Sequence, residues 1–375
     1  MRTRRVAVTA VVVITAALAA CSSENNISRP QTPTTTVSPE PAPSGSVWVA
    51  DEGGDSLTVL DASTNAVTTT VRGLKKPHNV QVGRDSATVY AVSSSNNLVV
   101  AIDAATYTVE AAASTGPAPA HVIDAPSGRV YVTNTGDGTV SVYQTPGLQP
   151  VGRINLGGMP HGLRPAAGGS VIVVANTMAG ALDLIDPAAD TFLGAVPVGT
   201  GPAQVAVTAD GRYAYAGITA PASVVKVDLH ARTVVGSAPV SAPPVQLYLT
   251  PDEATVLSAD QGTPDKPGHT VSVIDAAAMT VRSSVPTGAG PHGVVVDTSG
   301  TRAWVTNTYD NTVSAINLGS MSVVATVAVG AEPSGISYSP RPPAAFGATA
   351  TLNIPTPPTN DADRAQQPPP DQHGH

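Results

Sequence analysis

From Val47 onward the chain is built of short β-branched runs, alternating or continuous, separated by Gly, Asp, Asn and Pro, and no segment carries a helical period. The stretch Pro291–Asn317, PHGVVVDTSGTRAWVTNTYDNTVSAIN, shows the plan best. It predicts a strand over Val294–Val296, a turn at Thr298-Ser299-Gly300, and strands over Ala303–Thr306, Thr312–Ile316 and Val323–Val329. The plan recurs with Pro77, Pro119, Pro160, Pro202, Pro244, Pro291 and Pro333 opening successive units, about 42 residues apart. A second series, Asp61, Asp103, Gln144, Asp186, Asp228, Asp275 and Asn317, closes each third strand and keeps the same steps, including one longer unit. Four short antiparallel strands per repeat of this length predict a propeller blade rather than a solenoid coil.

The run AWVTN at Ala303–Asn307, echoed by VYVTN at Val130–Asn134, resembles the repeat of the YVTN/YncE family of seven-bladed propellers, over Val47–Pro340. The resemblance implies an all-β fold of seven four-stranded antiparallel blades. The first unit starts with a second-type strand, VWVA from Val47, and a first-type strand is left over at Ile336–Ser339. The leftover strand is therefore expected to complete the N-terminal blade as its innermost strand and so join the two ends of the ring.

The ends have a different composition. Residues 1–20 carry Arg2, Arg4 and Arg5 and then an apolar stretch shorter than the ~20 residues of a spanning helix, the pattern of an export signal. The sequence Leu18-Ala19-Ala20-Cys21 resembles the lipobox of bacterial lipoproteins, which implies a lipid on Cys21 and attachment to the outer face of the cytoplasmic membrane. Residues 21–46, rich in Ser, Thr and Pro, read as a disordered tether to a propeller over 47–340, and 341–375 as a disordered Pro-rich tail ending in His373-Gly374-His375. Cys21 is the single cysteine, so the domain has no internal disulfide and no thiolate nucleophile. Loss of the three leader arginines takes the formal charge from −8 to −11, which disfavours nucleic acid as a partner. A monomer is expected.

In a propeller the loop entering the first strand and the loop leaving the second share a face. Entering first strands are His78, His161 and His292, each directly after its proline, and His121 one place later. Leaving second strands are Asp51, Asn134, Asn176, Asp260 and Asn307, and the long sixth unit adds Asp265, Lys266 and His269. Neutral imidazoles converging on one channel mouth are ligands for copper or zinc. Virginiamycin B lyase-like propellers, with a His and acidic residues on a divalent cation, offer a family analogy, but no residue here matches their catalytic acid. The short Asx side chains at strand exits also suit turn amides, and Asp61, Asp103, Asp186, Asp228 and Asp275 on the opposite face read as turn formers. Trp48, Trp304, Tyr90, Tyr131 and Tyr215 read as packing between blades, and no phosphate loop, nucleophile elbow or HExxH motif occurs.

Two functions are consistent with these residues. One is a scaffold that binds a small molecule or a cell-envelope protein at the channel mouth, using Asp51, Asn134, Asn176, Asp260, His269 and Asn307. The other is a metal-dependent enzyme or metal-handling protein using His78, His161 and His292, with His121 in support.

Overall fold

The computed structural model describes residues 43–345 and 347–357. Seven sheets occur among them, six of four antiparallel strands and one of five, with no helix among the described residues. The inner strands of blades 2 to 7 are Pro77–Val82, Pro119–Ala125, Pro160–Pro165, Val205–Val207, Leu247–Leu249 and Pro291–Val296. The innermost strand of blade 1 is Pro333–Ser339, paired antiparallel with Ser46–Asp51, so the two ends of the ring share one sheet. That is the closure expected from the leftover strand, and it removes an open edge.

The core lies between blades rather than within one. Because side chains alternate across a strand, Val89 and Ala91 pack toward blade 1 while Tyr90 and Val92 pack toward blade 3. Seven such clusters join each blade to the next, the last uniting Val295 and Trp304 of blade 7 with Val47 and Val49 of blade 1. The aromatic residues predicted to pack between blades do so. Trp304 is fully buried, donates from Nε1 to Asn65 Oδ1 at 2.9 Å and stacks on Tyr338.

The turn reading of the aspartates holds in atomic detail. Asp61 Oδ1 accepts from the amides of Ser63 and Thr64, Asp103 Oδ1 from Ala105 and Thr106, and Asp275 Oδ1 from Ala277 and Ala278. Each turn closes four residues on with a left-handed residue, Asn65, Tyr107 or Met279.

The C-terminal boundary differs from expectation. Beyond Pro340, Thr349–Thr351 adds a fifth, parallel strand to the outer edge of blade 1 beside Val67–Arg72. The reason is local: Ala350 and Leu352 are apolar and 5% exposed, packing into the blade 1 and blade 2 core, while the Leu352 amide donates to Arg72 O. A short apolar segment inside a Pro-rich composition is enough to cap the edge strand. Strand Ser46–Asp51 likewise begins one residue before the expected boundary. The leader, Cys21, most of the tether, and His373 and His375 lie outside the described residues.

Candidate metal centre

Five inner strands carry a β-bulge at the same register. In blade 2, Pro77 pairs with Ser93 and Val80 with Ala91, so His78 and Asn79 together oppose Val92. The same offset sets Ala120-His121 against Thr133, His161-Gly162 against Ala175, His292-Gly293 against Thr306 and Ser334-Gly335 against Ala50. A bulge kinks the strand and re-aims a side chain, and here four bulges each deliver one imidazole to the channel mouth. Blades 5 and 6 have shorter inner strands, and Gln204 and Gln246 stand just ahead of them. In blades 4 and 7 the second bulge residue has little room: a Cβ on Gly293 would lie 2.3 Å from Ser334 O, and one on Gly162 would lie 2.7 Å from Ala203 O.

The imidazoles meet. Ring centroids of His78 lie 5.4 Å from His121, 5.2 Å from His161 and 5.9 Å from His292, and those of His121 and His161 are 4.8 Å apart. His78, His121 and His161 each offer a ring nitrogen within 4.8 Å of the other two. His121, expected only in support, is thus in the central group, while His292 stands beside it with a buried Nδ1 that meets no hydrogen-bond partner.

Residues 74–244, spanning blades 2 to 5, match the family model of YncE-like beta-propellers. The chain is a YncE-type seven-bladed propeller. Among solved structures it is similar to a hydrazine synthase chain of Kuenenia stuttgartiensis (21% identity, 70% of this chain and 90% of that chain, TM-score 0.63). It is also similar to a functionally unknown protein of Desulfotomaculum acetoxidans (15%, 80% and 100%, TM-score 0.70) and to a putative 6-phosphogluconolactonase of Bacteroides fragilis (15%, 82% and 99%, TM-score 0.68). At these identities the likeness is one of fold. No curated protein sequence matches.

Hydrogen bonds fix the tautomers of this YncE-type propeller's imidazoles. His161 Nδ1 lies 2.9 Å from Ala203 O, and a carbonyl only accepts, so the proton is on Nδ1 and Nε2 is bare. His78 Nδ1 lies 2.8 Å from Glu52 Oε2. Burial works to raise the Glu52 pKa, but the His78 hydrogen bond and charge outweigh it and hold the carboxyl below its ordinary value. The ionised carboxylate accepts a hydrogen bond from His78 Nδ1–H, and His78 Nε2 is buried and without a partner. His121 is arranged differently: Val205 N–H holds Gln204 Oε1, which turns the Gln204 amide nitrogen toward His121 Nδ1 at 3.3 Å.

Burial, reinforced by the neighbouring imidazoles, pushes the pKa of His161 down to about 3, that of His292 to about 4 and that of His121 well below its ordinary value. These three are neutral at physiological pH, which is the ligating state. A tetrahedral ion with bonds of about 2.1 Å sets its nitrogens about 3.4 Å apart. The three nitrogens of His78, His121 and His161 lie within 4.8 Å of one another.

The strand-exit residues of the propeller form a separate, outer ring. Asn134 is fully buried, with Oδ1 accepting from Gly116 N and Nδ2 donating to Thr139 Oγ1 and Ser141 Oγ. Asn307 Nδ2 donates likewise to Thr312 Oγ1 and Ser314 Oγ, but its buried Oδ1 has no hydrogen-bond partner among the described residues, and Asn176 Oδ1 accepts from Met159 N and Ala179 N. Asp51 accepts from Ser56, Thr58 and Gly330 N, and Asp260 from Ser241, Ser258 and Ser272. Apart from Asn307 Oδ1, the polar atoms of these five side chains bond to their own blade tops and the adjoining loops. His269 is exposed on the long blade 6 hairpin, outside the imidazole group. Sequence reasoning missed Glu52 and Gln204. Gln204 is two residues after its proline, the register of His121, and that alignment was the available signal for it.

Proposed function

We propose that this propeller binds one zinc or copper ion at its channel mouth through His78, His121 and His161, with His292 beside them. The observation that carries this reading is the unpartnered, buried Nε2 of His78, braced through Nδ1 by Glu52 and faced by two further imidazoles within 4.8 Å. A carboxylate behind a ligating histidine orients the ring and raises its basicity. Three imidazole ligands with a fourth position open suit an ion that is either handed on or used as a Lewis acid. The channel mouth then acts as a binding scaffold whose ligand meets the ion, in place of the outer Asx ring. The leader and Leu18-Ala19-Ala20-Cys21 support export and lipid anchoring on the outer face of the cytoplasmic membrane.

The test is metal analysis by mass spectrometry of the full mature chain, purified without a tag or chelator. About one equivalent of zinc or copper is expected, lost in H78A/H161A and kept in H373N/H375N, which removes the tail histidines. A folded chain that takes up neither ion, from the cell or on addition, overturns the reading.

A further inference from the structure

Two residues beyond the bulge, the inner strands form a second ring around the axis. The residue four places after each unit proline is Gln81, Ile123, Arg164, Ala206, Tyr248, Val295 or Ser337 in blade order. Six of these seven, with Asp124, Pro165, Ile336 and Tyr338, line a cavity of about 200 Å³ at the end of the inner strands opposite the imidazoles. The volume suits a small organic molecule.

Its polar groups are not balanced within the protein. The Arg164 guanidinium donates from Nη1 to Leu163 O at 3.1 Å, and no carboxylate among the described residues lies within ion-pair distance of it. Burial works against its charge, with only the Tyr248 phenol acting in its favour. The Tyr248 hydroxyl has no hydrogen-bond partner among the described residues, and burial keeps it protonated and hence a donor. Across the cavity, Asp124 Oδ2 accepts from Arg84 N at 2.9 Å, while Ser337 Oγ accepts from Val82 N and keeps its own proton to donate. A half-buried guanidinium without a counter-charge is under-compensated, and a planar carboxylate can pair with it through two parallel hydrogen bonds.

We propose that this second cavity binds a small organic carboxylate, its carboxylate on Arg164 and Tyr248 and a hydroxyl or ammonium donor toward Asp124. The site is independent of the imidazole centre: it uses other residues and needs no metal.

The experiment is calorimetric titration of the full mature chain with lactate, alanine, acetate and inorganic phosphate, in the metal-free protein. Lactate or alanine should bind saturably, acetate more weakly for lack of the donor, and phosphate least. R164Q should weaken the best probe by at least about tenfold, R164K by less, and Y248F by about threefold. H78A/H161A should leave the affinity unchanged, which separates this site from the metal site. Absence of saturable binding by the carboxylates, tighter binding of phosphate than of any carboxylate, or unchanged affinity in folded R164Q and Y248F overturns the proposal. Thermal melting of each variant identifies any that has failed to fold.

Discussion

The same face of the propeller carries two rings of recurring polar residues, and they differ in what their side chains are bonded to. The outer ring, Asp51, Asn134, Asn176, Asp260 and Asn307, is 0 to 1% exposed, and its members are held by the hydroxyls and amides of their own blade and the preceding loop. The inner ring of imidazoles is also largely buried, yet His78 Nε2 and His292 Nδ1 meet no partner. Recurrence at the repeat period is equally strong in both. Asn307 Oδ1 in the outer ring is unpartnered too, so what separates chemistry from structure is convergence: the imidazole nitrogens of three blades lie within 4.8 Å of one another, whereas Asn307 Oδ1 belongs to a single blade top. A buried group left without a partner costs about 1–3 kcal/mol.

The contrast can be broken most sharply at Asn134. Asn134→Ala would leave Gly116 N–H and the Thr139 and Ser141 hydroxyls without their common partner in a sealed site. A loss of about 3 kcal/mol in denaturant unfolding is expected, with metal stoichiometry unchanged. The inner ring should give the reverse pattern. A metal-free H78A/H161A chain that is as unstable as Asn134→Ala would mean that both rings are structural.

Glu52 sharpens the comparison because it touches only one ring. Glu52→Gln keeps an acceptor for His78 Nδ1–H but removes the negative charge behind the ligand. Metal affinity, measured by competition with a chromophoric chelator, should fall about 10- to 100-fold while the melting temperature of the metal-free chain stays within a degree or two. An unchanged affinity would remove Glu52 from the centre.

The fold was legible because it is written seven times. Two independent series, the unit prolines and the Asp/Asn turn residues, kept one period, and the missing first strand at Val47 located the closure. The candidate site was legible only as a list. His121 is one residue out of step with His78, His161 and His292, so sequence made it peripheral, whereas the bulge lets either of its two residues face the channel. Glu52 follows Asp51 directly, and sequence could not say which of two adjacent acids points at the imidazoles. Thr349–Thr351 was hidden because a three-residue strand needs its partner, Val67–Arg72, to be recognised as one.

Within the outer ring, blades 1 and 6 place Asp where blades 3, 4 and 7 place Asn, and the smallest of the expected effects follows from that difference. Burial pushes the Asp51 pKa up from its ordinary value to about 6, against the hydrogen bonds from Thr58, Ser56 and Gly330. A carboxyl whose pKa is raised on folding contributes stability that is fully present below its unfolded pKa and is lost as pH rises through the folded one. At pH 7 Asp51 is therefore a cost. Its partners stand five and seven residues on, as Thr139 and Ser141 do for Asn134, so an amide fits the same place and donates where the carboxylate accepts. Asp51→Asn should stabilise the protein by about 1–2 kcal/mol at pH 7, by less at pH 5 and by nothing near pH 4, since each pKa unit is worth about 1.4 kcal/mol. Unfolding curves across that range decide it. A variant less stable than the parent at pH 7 would show that the carboxylate's charge is needed at the top of blade 1, and the outer ring could then no longer be read as turn chemistry alone.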